Sequence, residues 1–264
     1  MAGAISLPMY DFPASAAAND ALVEALAARL PEAAPRRRRE SDLARLWRAP
    51  DLLLSQTCGY PFMTAFRQDL TYVATPHYAL PGCLGPRYCS FFLVRDADPA
   101  ESLADLRGRR VAFNGKGSQS GYNCLRLAVA PLAAGAPFFA ERLETGAHLA
   151  SVAAVAEGRA DLAAVDCVTH GLLARDRPEA LAGTRILAES ASAPGLPLVT
   201  RATAAPATLA ALRRALAEVV ADPDLAGLRG ALALSGFTVL DREAYEEVLA
   251  MQAAAEALDY PELL

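Results

Sequence analysis

The feature that most constrains this chain is a rhythm: short apolar runs alternate with stretches of helical periodicity. Apolar runs bounded by turn residues read as buried strands, and amphipathic segments between them read as helices covering a mostly parallel sheet. In the first third, Ala4–Leu7, Asp51–Ser55, Leu70–Thr75 and Ser90–Val94 are predicted strands. A helix is predicted over Asn19–Leu30, where Leu22, Leu26 and Leu30 recur on one face. The middle repeats the rhythm. Arg110–Phe113 is a strand, and Ser118–Ala130 is a helix with Tyr122, Leu125 and Val129 inward. His148–Glu157 is a second helix with Gly158 as its stop, and Leu162–Val165 is a strand ending at Asp166. Leu196–Thr200 is a further strand. Pro206–Leu264 reads as mostly helical, with Phe237–Leu240 as a short edge strand.

Composition narrows the function classes. The net charge of −5, from 25 basic and 30 acidic residues, argues against a nucleic-acid binder. It leaves room for a small anionic ligand, because local geometry overrides a mild global field. No apolar run approaches the ~20 residues of a membrane span, so the chain is not expected to span a membrane. Met1–Met9 has no basic and apolar leader pattern, so the sequence by itself reads as cytoplasmic. The five cysteines (Cys58, Cys83, Cys89, Cys124 and Cys167) include no CxxC pair, and His77, His148 and His170 lie far apart. Small buried thiols, no metal site and no cofactor are expected. The run Arg36–Arg39, after Pro31 and Pro35, reads as a solvated basic turn.

Four segments carry polar residues just past predicted strands. In Val111–Asn123 (VAFNGKGSQSGYN) a strand ends, a glycine-rich turn follows and a helix begins near Ser118. Free N–H groups at such a helix start, with Ser118 and Ser120 as hydroxyl donors and Gly121 admitting close approach, suit an oxyanion. The same residues also read as a Ser N-cap with ordinary turn glycines. His148 opens the next helix, either as a donor to a ligand or as a plain helix-start histidine. Asp166 ends a strand, where open α/β sheets place ligands, and equally suits an N-cap. Ser55–Tyr60 (SQTCGY) is a fourth strand end, and Tyr10 stands just past the first strand. Each feature is weak alone, yet all fall at the same architectural place, the expected lining of a ligand cleft. Ser118 or Ser120 with His148 and Asp166 has the composition of a nucleophilic triad. The local sequence GSQSG, however, is not a GxSxG elbow.

At these residues the chain resembles a known family. Asp105–Asn114 (DLRGRRVAFN), Gly117–Tyr122 (GSQSGY) and Gly146–Asp166 (GAHLASVAAVAEGRADLAAVD) resemble the phosphate, phosphite and phosphonate solute-binding proteins of ABC importers. The resemblance implies the type II periplasmic-binding-protein fold, two α/β lobes joined by two crossing strands with a ligand cleft between them. Carried onto this chain, residues 1–94 plus 198–264 form one lobe and 95–197 the other, with Ser90–Asp96 and Pro197–Thr200 as the crossings. It implies that Ser118, Gln119, Ser120 and Gly121 hold ligand oxygens. It further implies roles for His148, Asp166 and the first-lobe loop of Gln56, Thr57, Cys58, Gly59 and Tyr60, with Tyr10 a looser match. The implied protein is a monomeric, periplasmic, non-enzymatic receptor that captures a phosphonate- or phosphate-like anion by hinge closure and hands it to an ABC permease. The same fold also serves menaquinone- and thiamine-precursor enzymes, which makes a cytoplasmic enzyme or sensor the alternative. LysR-type effector domains share it too, but strand sequence beginning at Ala4 leaves no place for their helix-turn-helix.

Overall fold

The computed structural model describes residues 3–30 and 35–263, so the readings that touch Met1, Pro31 and Leu264 lie outside the described residues. Among the described residues the strands are β1 (Ala4–Ser6), β2 (Arg36–Arg37), β3 (Leu52–Gln56), β4 (Leu70–Tyr78), β5 (Arg87–Tyr88), β6 (Ser90–Arg95), β7 (Arg110–Phe113), β8 (Glu141–Glu144), β9 (Leu162–Asp166), β10 (Thr184–Glu189), β11 (Ala193–Pro194), β12 (Leu198–Arg201) and β13 (Leu234–Thr238). They fall into two compact units. The first runs to Ala79 and includes Leu84–Pro86 and Pro194–Ala244; the second holds Leu80–Cys83, Arg87–Ala193 and the chain from Tyr245 onward. This differs from the division expected from sequence. Strand β6 is an inner strand of the second sheet, and the last helix, Glu246–Glu256, packs in the second unit.

The first unit is built on a six-stranded sheet in the order β13-β4-β12-β3-β1-β2. Strands β2, β1 and β3 run parallel, and β12 lies antiparallel to both β3 and β4. Its core joins Ile5, Leu54, Val73 and Leu198 of the sheet to Leu22, Val23 and Leu26 of the helix Ala16–Ala27. Leu212, Leu216 and Val219 of the helix Pro206–Ala221 complete it at helical spacing. Leu30 lies beyond the helix end and is only half-buried.

The second unit has a five-stranded sheet in the order β10-β6-β9-β7-β8. Strands β8, β7 and β9 are parallel, and β6 is antiparallel to β9 and β10. Both units therefore share one plan: three parallel strands, then one running against them, then its antiparallel partner. Parallel strands put their carboxyl ends along a single edge of a sheet. That rule aligns the loops after β7, β8 and β9 in the second unit, and those after β1 and β3 in the first.

The arginine run is not a solvated turn. Arg36 and Arg37 form β2 beside β1, at the sheet edge. Side chains alternate along such a segment, so Arg37 and Arg39 meet the same two carboxylates. Arg37 lies 2.8 Å from Asp11 and 3.0 Å from Asp20, and Arg39 lies 2.9 and 2.7 Å from them. Arg38 turns to the other face and grips Asp51 through both guanidinium nitrogens. Strands β8 (ERLE) and β10 (TRILAE) are edge strands whose charged residues leave at most the three-residue apolar run Ile186–Ala188, too short for the rhythm to reveal them. Strand β13 begins at Leu234, ahead of the expected Phe237. Among the described residues no helix is long and apolar enough to cross a membrane.

Candidate functional site

In the second unit, the loop after β7 turns through Asn114–Gly117 into a π-helical turn, Gln119–Asn123, that continues as the helix Cys124–Ala133. Such wide turns recur at functional positions. A helix start leaves several N–H groups needing partners from outside the helix. The Ser118 hydroxyl serves one of them, accepting from Gly121 N–H at 3.0 Å. Gly121 has no room for a side chain: a Cβ there would lie 2.0 Å from Asn114 Oδ1 and 3.1 Å from His148 Cε1.

Three side chains from three successive loops converge beside this turn. Ser120 Oγ is 3.0 Å from His148 Nε2, and the same nitrogen is 3.3 Å from Asp166 Oδ2. His148 is the first residue of the helix His148–Ala156, whose start is braced by Thr145 and Ser151, with their hydroxyls 2.6 Å apart. Asp166 ends β9 and caps the helix Cys167–Asp176. Its Oδ1 accepts from Thr169 N–H at 2.8 Å and its Oδ2 from the Thr169 hydroxyl at 2.5 Å. Asp166 is thus both a helix cap and the partner of His148. Burial pushes the His148 pKa below its ordinary value, against the pull of Asp166 and the Ala164 backbone, so the imidazole is held neutral. His148 Nδ1 is buried without a well-formed hydrogen bond, and Asn114 Oδ1, next to Gly121, is likewise unpaired among the described residues. Asn114 is a site residue that sequence reading did not single out; its place at the end of β7, directly before the glycine turn, is the signal.

The geometry argues against a triad. A serine–histidine–aspartate triad uses both ring nitrogens, one toward each partner. Here Ser120 and Asp166 share Nε2, so that nitrogen cannot take the serine proton while donating its own to the carboxylate.

Gln119 requires a correction. Its side chain is fully buried and turned inward, Nε2 reaching Met251 Sδ at 3.0 Å and Cys124 Sγ at 3.4 Å. Its Oε1 accepts from Asn123 Nδ2 at 2.7 Å, and Asn123 also donates to the Val248 carbonyl. The side chain anchors the turn to the last helix.

The first unit gathers its own strand-end residues. Gln56 Nε2 donates to Tyr78 OH at 3.2 Å and to the Leu196 carbonyl at 3.4 Å. The rings of Tyr10 and Tyr78 meet edge to face, 5.3 Å apart. Tyr78, at the end of β4, was missed because that strand runs three residues past its predicted end at Thr75. Thr57 is fully buried, its N–H donating to the Pro197 carbonyl. Cys58 precedes the five-residue helix Gly59–Met63 without capping it through its side chain, and Tyr60 is half-buried in that helix. Two cavities of this unit, of about 510 and 320 Å³, are lined instead by Arg38, Arg45 and Arg48 and by Phe62, Tyr72 and Arg213.

The fold is shared with solved proteins. The protein XAC2383 from Xanthomonas citri, solved bound to ATP, superposes with a TM-score of 0.74 at 19% identity, covering 99% of each chain. A binding protein component of an ABC phosphonate transporter (PA3383) from Pseudomonas aeruginosa gives a TM-score of 0.80 at 17% identity, over 98% of this chain and 87% of that one. PhnD1 from Prochlorococcus marinus, in complex with methylphosphonate, gives 0.77 at 13% identity, over 97% and 98%. These likenesses establish the type II periplasmic-binding-protein fold. No curated protein matches the sequence. Residues 8–245 match the family model described as "ABC transporter, phosphonate, periplasmic substrate-binding protein", and the chain belongs to that family.

Proposed function

We propose that this chain captures a small phosphorus oxyanion, of the phosphonate or phosphate class, for delivery to an ABC permease. The observation that carries the reading is the meeting of Ser120, His148 and Asp166, from three loops at one sheet edge, beside a glycine with no space for a side chain. The Ser120 hydroxyl and the N–H groups of the turn after Ser118 supply neutral donors, which suit an anion held without charge transfer. His148, held neutral, adds a hydrogen bond but no charge. Asp166 selects for a ligand group that carries a proton, since a bare dianion beside a carboxylate is repelled. The first unit's loop of Gln56 and Tyr60, with Tyr10, completes the grip on closing. The bound ligands of two solved neighbours, methylphosphonate and ATP, set the chemical range to test.

The test is a thermal-shift series on protein freed of ligand by unfolding and refolding, with phosphate, phosphite, methylphosphonate, aminoethylphosphonate, sulfate and ATP. A ligand at 100 times its Kd adds about 2.7 kcal/mol of stability. A shift with one phosphorus oxyanion that disappears in Ser120→Ala, with the variant's unliganded Tm preserved, supports the reading. A response to sulfate equal to that of every phosphorus compound, or a shift undiminished in Ser120→Ala, overturns it.

A further inference from the structure

Away from the Gln119–Asn123 turn, the second unit draws Cys83 and Cys89 to Cys167. Cys83 Sγ lies 3.5 Å from Cys167 Sγ, although 84 positions separate them in sequence. Cys89 joins them through the backbone, where Cys167 N–H donates to the Cys89 carbonyl at 3.0 Å. The loop that carries Cys83 is pressed onto the thiols. Gly82 adopts φ +83°, and a Cβ on it would lie 2.7 Å from Cys167 Cβ and 2.9 Å from Cys89 Sγ. Leu80 of the same loop packs against Gly171, one turn along the helix that Cys167 begins. The loop is thus held at two points, and sulfur meets sulfur between them. Cys89 and Cys167 are buried, whereas Cys83 is partly open to solvent. The trio does not form a metal site among the described residues.

We propose that Cys83 and Cys167 are a reversible dithiol–disulfide pair, with Cys83 as the entry thiol. The reaction takes a small-molecule disulfide as oxidant. The Cys83 thiolate attacks one of its sulfurs, forming a mixed disulfide and releasing the first small thiol. Cys167, giving up its proton, then attacks the Cys83 sulfur and releases the second. Two protein thiols are oxidised, the external disulfide is reduced to two thiols, and the two protein protons end on those thiols. Closing the bond brings the sulfurs from 3.5 Å to the bonded ~2.05 Å. The hydrogen bond to Cys83 and burial push the Cys167 thiol up, and the hydrogen bond to Cys167 and burial push Cys89 up. An external disulfide therefore meets Cys83, which of the three is the thiol partly open to solvent. The bond would staple the Leu80–Cys83 loop to the first turn of the helix capped by Asp166.

The test is incubation of the full chain with oxidised glutathione, then unfolding, alkylation with iodoacetamide and peptide mapping by mass spectrometry. Two of the five thiols should become unreactive, with Cys83 and Cys167 recovered in one crosslinked peptide and released by dithiothreitol. Cys89→Ser should keep that crosslink and Cys83→Ser should abolish it. Five alkylated thiols, a Cys89–Cys167 crosslink, or a glutathione adduct on Cys83 that never closes would each overturn the proposal.

Discussion

The two units place polar residues at the same edge of the same strand plan, yet they spend them differently. In the second unit the strand-end groups are locked to one another: Ser118 caps its helix, Asp166 caps another, and His148 is pinned between Ser120 and Asp166. In the first unit Gln56 bonds the Tyr78 phenol and the Leu196 carbonyl, and the rings of Tyr10 and Tyr78 meet edge to face. A site in which each group is fixed by a second contact is organised before its ligand arrives. Under the proposed function, the second unit recognises the anion and the first accommodates the ligand's remainder.

The largest effect expected from breaking this comparison is at Gly121. Its alanine variant drives a methyl into the Asn114 amide, so binding of the oxyanion should become undetectable. Calorimetry on a folded Gly121→Ala protein that still bound would show that the anion is not seated over this turn. The two glutamines sharpen the contrast further. Gln119→Ala leaves Asn123 short of a buried partner, a loss of about 1–3 kcal/mol. It should lower Tm by several degrees while changing affinity only through the loosened turn. Gln56→Ala also removes two buried hydrogen bonds and should lower Tm by a similar amount, but it should in addition weaken binding about tenfold. Equal affinity losses for both would remove the distinction between anchor and contact.

The smallest effect is a pH dependence. Burial lowers the folded pKa of His148 below the ~6.5 of the unfolded chain. The neutral form is the one the fold accepts, so its stability contribution is complete above about pH 6.5 and is lost as pH falls below it. His77 and His170 are shifted down by burial in the same sense. Between pH 7.5 and 5 the wild-type Tm should decline, and His148→Gln should flatten part of that slope. An unchanged slope would place the titration on the other two histidines.

Much of the fold was legible because a buried strand announces itself. SFFLV and LAAVD have no other place to go than a sheet interior, and both sit there as inner strands. Edge strands β8 and β10 were silent because an edge tolerates charge on both faces. The arginines of β2 were misread because their meaning depends on Asp11, Asp20 and Asp51, which come to them only through the fold. At the site, positions were readable and directions were not. The sequence placed Ser118, Ser120 and Asp166 at strand ends and His148 at a helix start. It could not say that Gln119, between two serines, turns inward to a methionine 132 residues away.

That contact reaches into the order in which the protein is made. The segment Tyr245–Leu263 leaves the ribosome after everything it packs against. Met251, Val248 and Leu263 nonetheless touch the Gln119–Asn123 turn through Gln119, Asn123 and the Tyr122 hydroxyl. In the nascent chain the Gln119–Asn123 turn therefore stays without these partners until the segment Tyr245–Leu263 has emerged.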